Sequence, residues 1–95
     1  MIGYEVFTKE PYETFDIGFD FSRMMKPGAT ISSIVVRENG SITSNYTENA
    51  TLSGTIISVR VKGGLSGDRI KIEFQVIDTN SEKHENGLIM EVTEK

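Results

Sequence analysis

Ninety-five residues without a cysteine exclude a disulfide framework, a thiolate nucleophile and any thiolate-based zinc or iron–sulfur centre, so stability has to come from packing. A hydrophobic fraction of 37%, a charged fraction of 25% and two prolines suit one folded domain over residues 1–95 and exclude disordered, collagen-like and mucin-like chains. A net charge of −4 opposes nucleic acid and anionic membrane as partners, because both need clustered Lys and Arg.

The first expected strand runs from Tyr4 to Thr8. Phe15-Asp16-Ile17-Gly18-Phe19-Asp20-Phe21 then alternates strictly, which places four large apolar side chains on one face and Asp16, Gly18 and Asp20 on the other. Ser22 to Lys26 has room for one helical turn before Pro27-Gly28 stops it, and reads as a loop. Thr30 to Arg37 and Ser41 to Tyr46 are weaker strand candidates, bounded by Gly, Pro, Asn and Ser. Alternation returns in Ile57 to Lys62 and in Ile70 to Val76, and Leu88 to Val92 closes the series. Between them, Gly63-Gly64-Leu65-Ser66-Gly67 reads as a crossing from one sheet to another, where glycine takes positive φ without strain.

Seven strand candidates with turn signals about every 8–12 residues predict an all-β fold, a single immunoglobulin-like β-sandwich of antiparallel strands. Its expected core is Phe15, Ile17, Phe19, Phe21, Ile57, Val59, Val61, Ile70, Ile72, Phe74 and Val76, the inward faces of the three best strands. No apolar run approaches the ~18 residues of a membrane helix, and the N-terminus lacks the basic-then-apolar order of a signal peptide. Synthesis in the cytoplasm is the expectation, with the sequons at Asn39, Asn45 and Asn49 left unmodified.

The residues that carry chemistry give no catalytic set. His84 is the lone histidine; among Lys83, Glu85 and Asn86 it reads as a solvated turn residue rather than a base or ligand. Gly64-Leu65-Ser66-Gly67-Asp68 lacks the last glycine and the helix of a nucleophile elbow, and its glycines do not open the helix a phosphate loop requires. Asp16 and Asp20 share a strand face about 13 Å apart at ~3.3 Å per residue, too far for joint calcium ligation or a glycosidase pair. The expectation is therefore a protein without enzymatic activity, cofactor or metal.

Two features point to contacts with proteins. Charge is uneven: residues 1–20 set Lys9 against Glu5, Glu10, Glu13, Asp16 and Asp20, whereas 60–71 set Arg60, Lys62, Arg69 and Lys71 against Asp68. Such asymmetry orients subunits as they meet. The strand Thr30 to Arg37 also carries apolar side chains at both parities, leaving either Val35 or the Ile34/Val36 pair outward, and Ile77 and Ile89 break the register of their strands. The expected interaction surface is Val35, Ile77 and Ile89 with Arg60, Lys62, Arg69, Lys71, Asp16 and Asp20. A carbohydrate-binding or adhesive module is the alternative, with Tyr4, Tyr12 and Tyr46 as its aromatic platform.

Phe15 to Ser22 followed by Lys26-Pro27-Gly28-Ala29-Thr30-Ile31-Ser32-Ser33, and later Val59 to Asp68 with its Gly-Gly-x-x-Gly crossover, resemble a small family of phage and prophage immunoglobulin-like proteins of the fibre-tail adaptor kind. The chain differs from that pattern at Ile70, where the family has Tyr, at Phe21, where it has Trp, and across Asp78 to Lys83. The resemblance implies a structural or adaptor protein of virion assembly, associated with the virion and binding other virion proteins or copies of itself. It carries over no catalytic residues.

Overall fold

The computed structural model describes residues 4–94; residues 1–3 and 95 of the expected domain lie outside the described residues. Seven strands follow in order: β1 (Glu5–Lys9), β2 (Phe15–Asp20), β3 (Ile31–Glu38), β4 (Thr47–Ser53), β5 (Ile56–Val61), β6 (Arg69–Asp78) and β7 (Lys83–Val92). A single 3-10 turn at Ser22–Met24 lies between β2 and β3. The fold is all-β. One sheet has four strands in the order β1-β7-β6-β3, and the other three in the order β2-β5-β4.

Alternation dictates how the sheets meet. β5 and β6 bury every second side chain, so Ile57, Val59 and Val61 from one sheet face Ile70, Ile72, Phe74 and Val76 from the other in one core. Phe21, Met90 and Val92 complete its centre. Each such apolar side chain removed from water contributes about 1.5–3 kcal/mol. The crossing between the sheets is the glycine-rich segment after β5, with Gly63, Gly64 and Gly67 at φ of 67°, 90° and 97°. At Gly64 a Cβ would also stand 2.7 Å from Val92 Cγ2, so only glycine lets the chain cross there.

Several expectations are corrected. The strands are not all antiparallel: β1 runs parallel to β7, from Glu5 opposite Leu88 to Lys9 opposite Val92. No hairpin joins the two, so nothing forces the antiparallel direction. Ser41 to Tyr46 is not a strand but a loop, with one isolated β-bridge to β3, Ser41–Glu38. The strand lies further on, at β4, whose side chains after Thr47 are half-buried or exposed; a bulge between Glu48 and Thr51 interrupts it, with Asn49 at φ 55°. Phe15, Ile17 and Phe19 point inward but are half-buried, because β2 is an edge strand. β7 starts five residues earlier than expected, at Lys83, so His84 is a strand residue rather than a solvated turn residue.

Candidate interaction surfaces

The outward face of the four-stranded sheet collects the expected apolar residues. Val35 faces outward at 40% exposure while Ile34 and Val36 turn half inward, which settles the parity of β3. On β3 and β6, Val35 lies opposite Gln75 and Ser33 opposite Ile77, so Val35 and Ile77 are diagonal neighbours. Ser33, Val35, Gln75, Ile77, Lys83 and Glu85 line a shallow depression of about 440 Å³ there. Ile89 shares this face but stands apart, opposite Lys71 on β6 and Val6 on β1. A polar band separates the two apolar spots: Lys71 Nζ is 3.7 Å from Glu73 and 5.0 Å above the Tyr4 ring, Tyr4 donates to Glu73 at 3.3 Å, and Arg37 Nε donates to Gln75 at 2.9 Å. Burial, and then the charges of Glu73 and Glu85, push the Tyr4 hydroxyl above its ordinary pKa.

The basic residues do not form a free patch. Arg60 and Lys62 belong to the three-stranded side and Arg69 and Lys71 to β6. Each has an acidic partner: Asp16 with Arg60 at 3.0 Å, Glu48 with Lys62 at 3.0 Å, Glu91 with Arg69 and Glu73 with Lys71. Asp20 is engaged locally, accepting from Ser22 N and Thr55 Oγ1, each at 2.8 Å. The Ser22 bond, with that from Thr55, holds its carboxyl below the ordinary range. The expected steering charges are thus largely answered within the molecule.

The three tyrosines of the alternative platform are dispersed. Tyr4 lies in the polar band, Tyr46 is half-buried against the core, and Tyr12 stands 98% exposed. Tyr12 has different company. Lys9 Nζ donates to the Gly63 carbonyl at 2.6 Å and Lys62 N to the Tyr46 carbonyl at 2.9 Å, which gathers the loops 10–14, 39–46 and 62–68 at one end. Each displays one apolar side chain: Tyr12, Ile42 and Leu65, the last two 67% and 75% exposed. Sequence reasoning passed over Ile42 and Leu65, and took Tyr12 only as part of the aromatic platform, because single apolar residues among loop residues carry no periodicity.

Four buried polar residues, Lys9, Glu38, Thr47 and Asp78, also escaped it. Lys9, 1% exposed, donates to the carbonyls of Glu10, Pro11 and Gly63, and its burial lowers the ammonium pKa. Glu38, 3% exposed, accepts from Thr43 Oγ1, Asn45 N, Tyr46 N and Thr47 Oγ1 at 2.5–3.0 Å. Burial alone would raise that carboxyl, but the four donors outweigh it and hold the pKa low. Buried Asp78 accepts from Asn80 N and Glu82 N on Oδ1 and meets His84 Nε2 at 2.9 Å on Oδ2. The His84 bond leads the causes that lower its pKa.

His84 and Ser66 are not partners. His84 is opposite Val76 and Ser66 precedes Arg69, so most of β6, roughly 20 Å at ~3.3 Å per residue, separates them. Ser66 lies in a turn closed by Leu65 N to Asp68 Oδ2 at 2.8 Å. Among the described residues no helix is long and apolar enough to cross a membrane.

The fold and its surface define an all-β protein of two packed sheets, with a largely charge-paired surface interrupted by small apolar spots. Residues 9–91 match the model of the family described as podophage GP4 fiber-tail adaptor protein gp77. The chain belongs to that family, which gives it a structural adaptor role in the virion. No curated protein matches it.

Proposed function

We propose that this protein is a non-enzymatic adaptor, one domain that associates with the virion and holds other virion proteins through the outward face of its four-stranded sheet. The observation that carries this reading is the exposed pair Val35 and Ile77 in the depression on that face, apolar surface that gains free energy when covered. The paired basic residues and the net charge of −4 favour protein over nucleic acid or membrane as the partner. Strand order supports an immunoglobulin-like sandwich. Lettered A to G in chain order, the sheets read A-G-F-C and B-E-D, which differs from the constant-type arrangement only in strand A joining G rather than B.

Val35→Asp is the test, read by sedimentation of the protein alone and with the neighbouring virion proteins. Binding is expected to weaken while stability stays within about 0.5 kcal/mol, as for other exposed positions. Unchanged binding would remove this face as the contact. A strict monomer at high concentration would remove self-association and leave an unlike virion protein as partner.

A further inference from the structure

We propose that the β6–β7 hairpin holds a divalent first-row transition ion between Asp78, Glu82 and His84. Asp78 ends β6, Glu82 closes the connecting turn and His84 is the second residue of β7. One ligand atom from each lies within 4.8 Å of the other two. Around a tetrahedral ion with bonds of about 2.0–2.2 Å, ligand atoms stand roughly 3.3–3.6 Å apart. The His84 to Asp78 distance of 2.9 Å therefore has to open slightly, and the Glu82 side chain, 42% exposed, has to swing in.

The carboxylate of Asp78 is already oriented. Its Oδ1 is fixed by the backbone N–H groups of Asn80 and Glu82 at 2.8 and 3.0 Å, which leaves Oδ2 aimed at His84. Such outer hydrogen bonds are what position metal ligands elsewhere. The ion replaces the hydrogen bond between Nε2 and Oδ2, and the imidazole that coordinates through Nε2 is the neutral tautomer with its one proton on Nδ1. Two carboxylates then neutralise the double positive charge. Calcium and magnesium prefer oxygen alone, whereas one imidazole with two carboxylates suits zinc and its neighbours. Asp78 is sealed from solvent and His84 only 16% exposed, so water reaches the ion from the Glu82 side and supplies the fourth ligand. The competing cation is Lys26, whose Nζ is 3.4 Å from Glu82 Oε2 but 68% exposed and free to move away.

Zinc chloride titrated calorimetrically into the EDTA-stripped full chain tests this. One zinc per chain is expected, with a higher melting temperature when zinc is present. His84→Gln keeps a donor towards Asp78 but offers no imidazole, and should bind zinc at least about tenfold more weakly. Glu82→Gln changes only a side chain of the turn and should do the same, so it decides the matter if the first variant folds poorly. Lys26→Ala should tighten binding. No zinc uptake by the wild-type chain, equal uptake by the wild type and Glu82→Gln, or calcium binding as tight as zinc would each overturn the proposal.

Discussion

Glu38 organises the loop 39–46, since its two carboxylate oxygens take up two backbone N–H groups and two threonine hydroxyls, that of buried Thr47 among them. Because the folded carboxyl titrates below its ordinary 4.5, the unfolded chain binds the extra proton in acid. The stability it contributes is complete above that value and is lost as pH falls through the folded pKa. Glu38→Gln should cost about 2 kcal/mol near neutral pH and should flatten the acid limb of the stability profile. Urea midpoints measured at neutral pH and below the carboxylate range check both; an acid limb as steep as that of the wild type would assign it elsewhere. Nothing in Arg37-Glu38-Asn39-Gly40 marks that glutamate as buried. Its donors come from Thr43 to Thr47, and only the closed loop puts them around it. Lys9 is equally unreadable, as backbone carbonyls from two separate loops cap its ammonium.

Among the elements, edge position decides how much an apolar side chain contributes. Phe19 alternates as well as any residue in the chain, yet β2 has a neighbour on one side only. Phe19→Ala should cost about 2–3 kcal/mol, against about 3–5 for the sealed Phe74→Ala, the usual range for a buried aromatic. Equal losses in chemical denaturation would show that β2 is covered in solution. Gly87 of β7 makes a second prediction, because a Cβ there runs into the Ile72 carbonyl across the pair. Gly87→Ala should lower stability by about 1–3 kcal/mol through displaced backbone, whereas Gly28→Ala, in open space, pays only for its positive φ. Thermal melts of the two variants would rank them; a wild-type melt for Gly87→Ala would mean that the β6–β7 pair is looser than described. β4 stayed illegible because Thr-Glu-Asn-Ala-Thr-Leu-Ser buries little beyond Thr47, so burial writes almost no pattern into it.

For the molecule as a whole, charge pairing limits steering. Arg60, Lys62, Arg69 and Lys71 each face a carboxylate, so little unbalanced field remains at that end. Raising salt from about 0.05 to 0.5 M should change the association rate with virion partners by less than about tenfold. Stopped-flow or surface-capture rates check this, and a steeper fall would show that free charges do the orienting. The loop end carrying Tyr12, Ile42 and Leu65 is a second apolar display distinct from Val35 and Ile77. Leu65→Asp beside Val35→Asp therefore reads which end of the body a given partner uses.

The all-β character, the inward faces of β5 and β6, the glycine crossing and the family resemblance were determined by the sequence, because alternation and glycine φ are local properties that each segment carries by itself. Tertiary structure alone decided the parallel pairing of β1 with β7, the half-burial of β2, the outward parity of Val35 and the partners of the charged residues. Each of these depends on which strand lies alongside, a relation between residues as distant in sequence as Lys9 and Gly63, and a period of two says which face a side chain takes without saying what it meets.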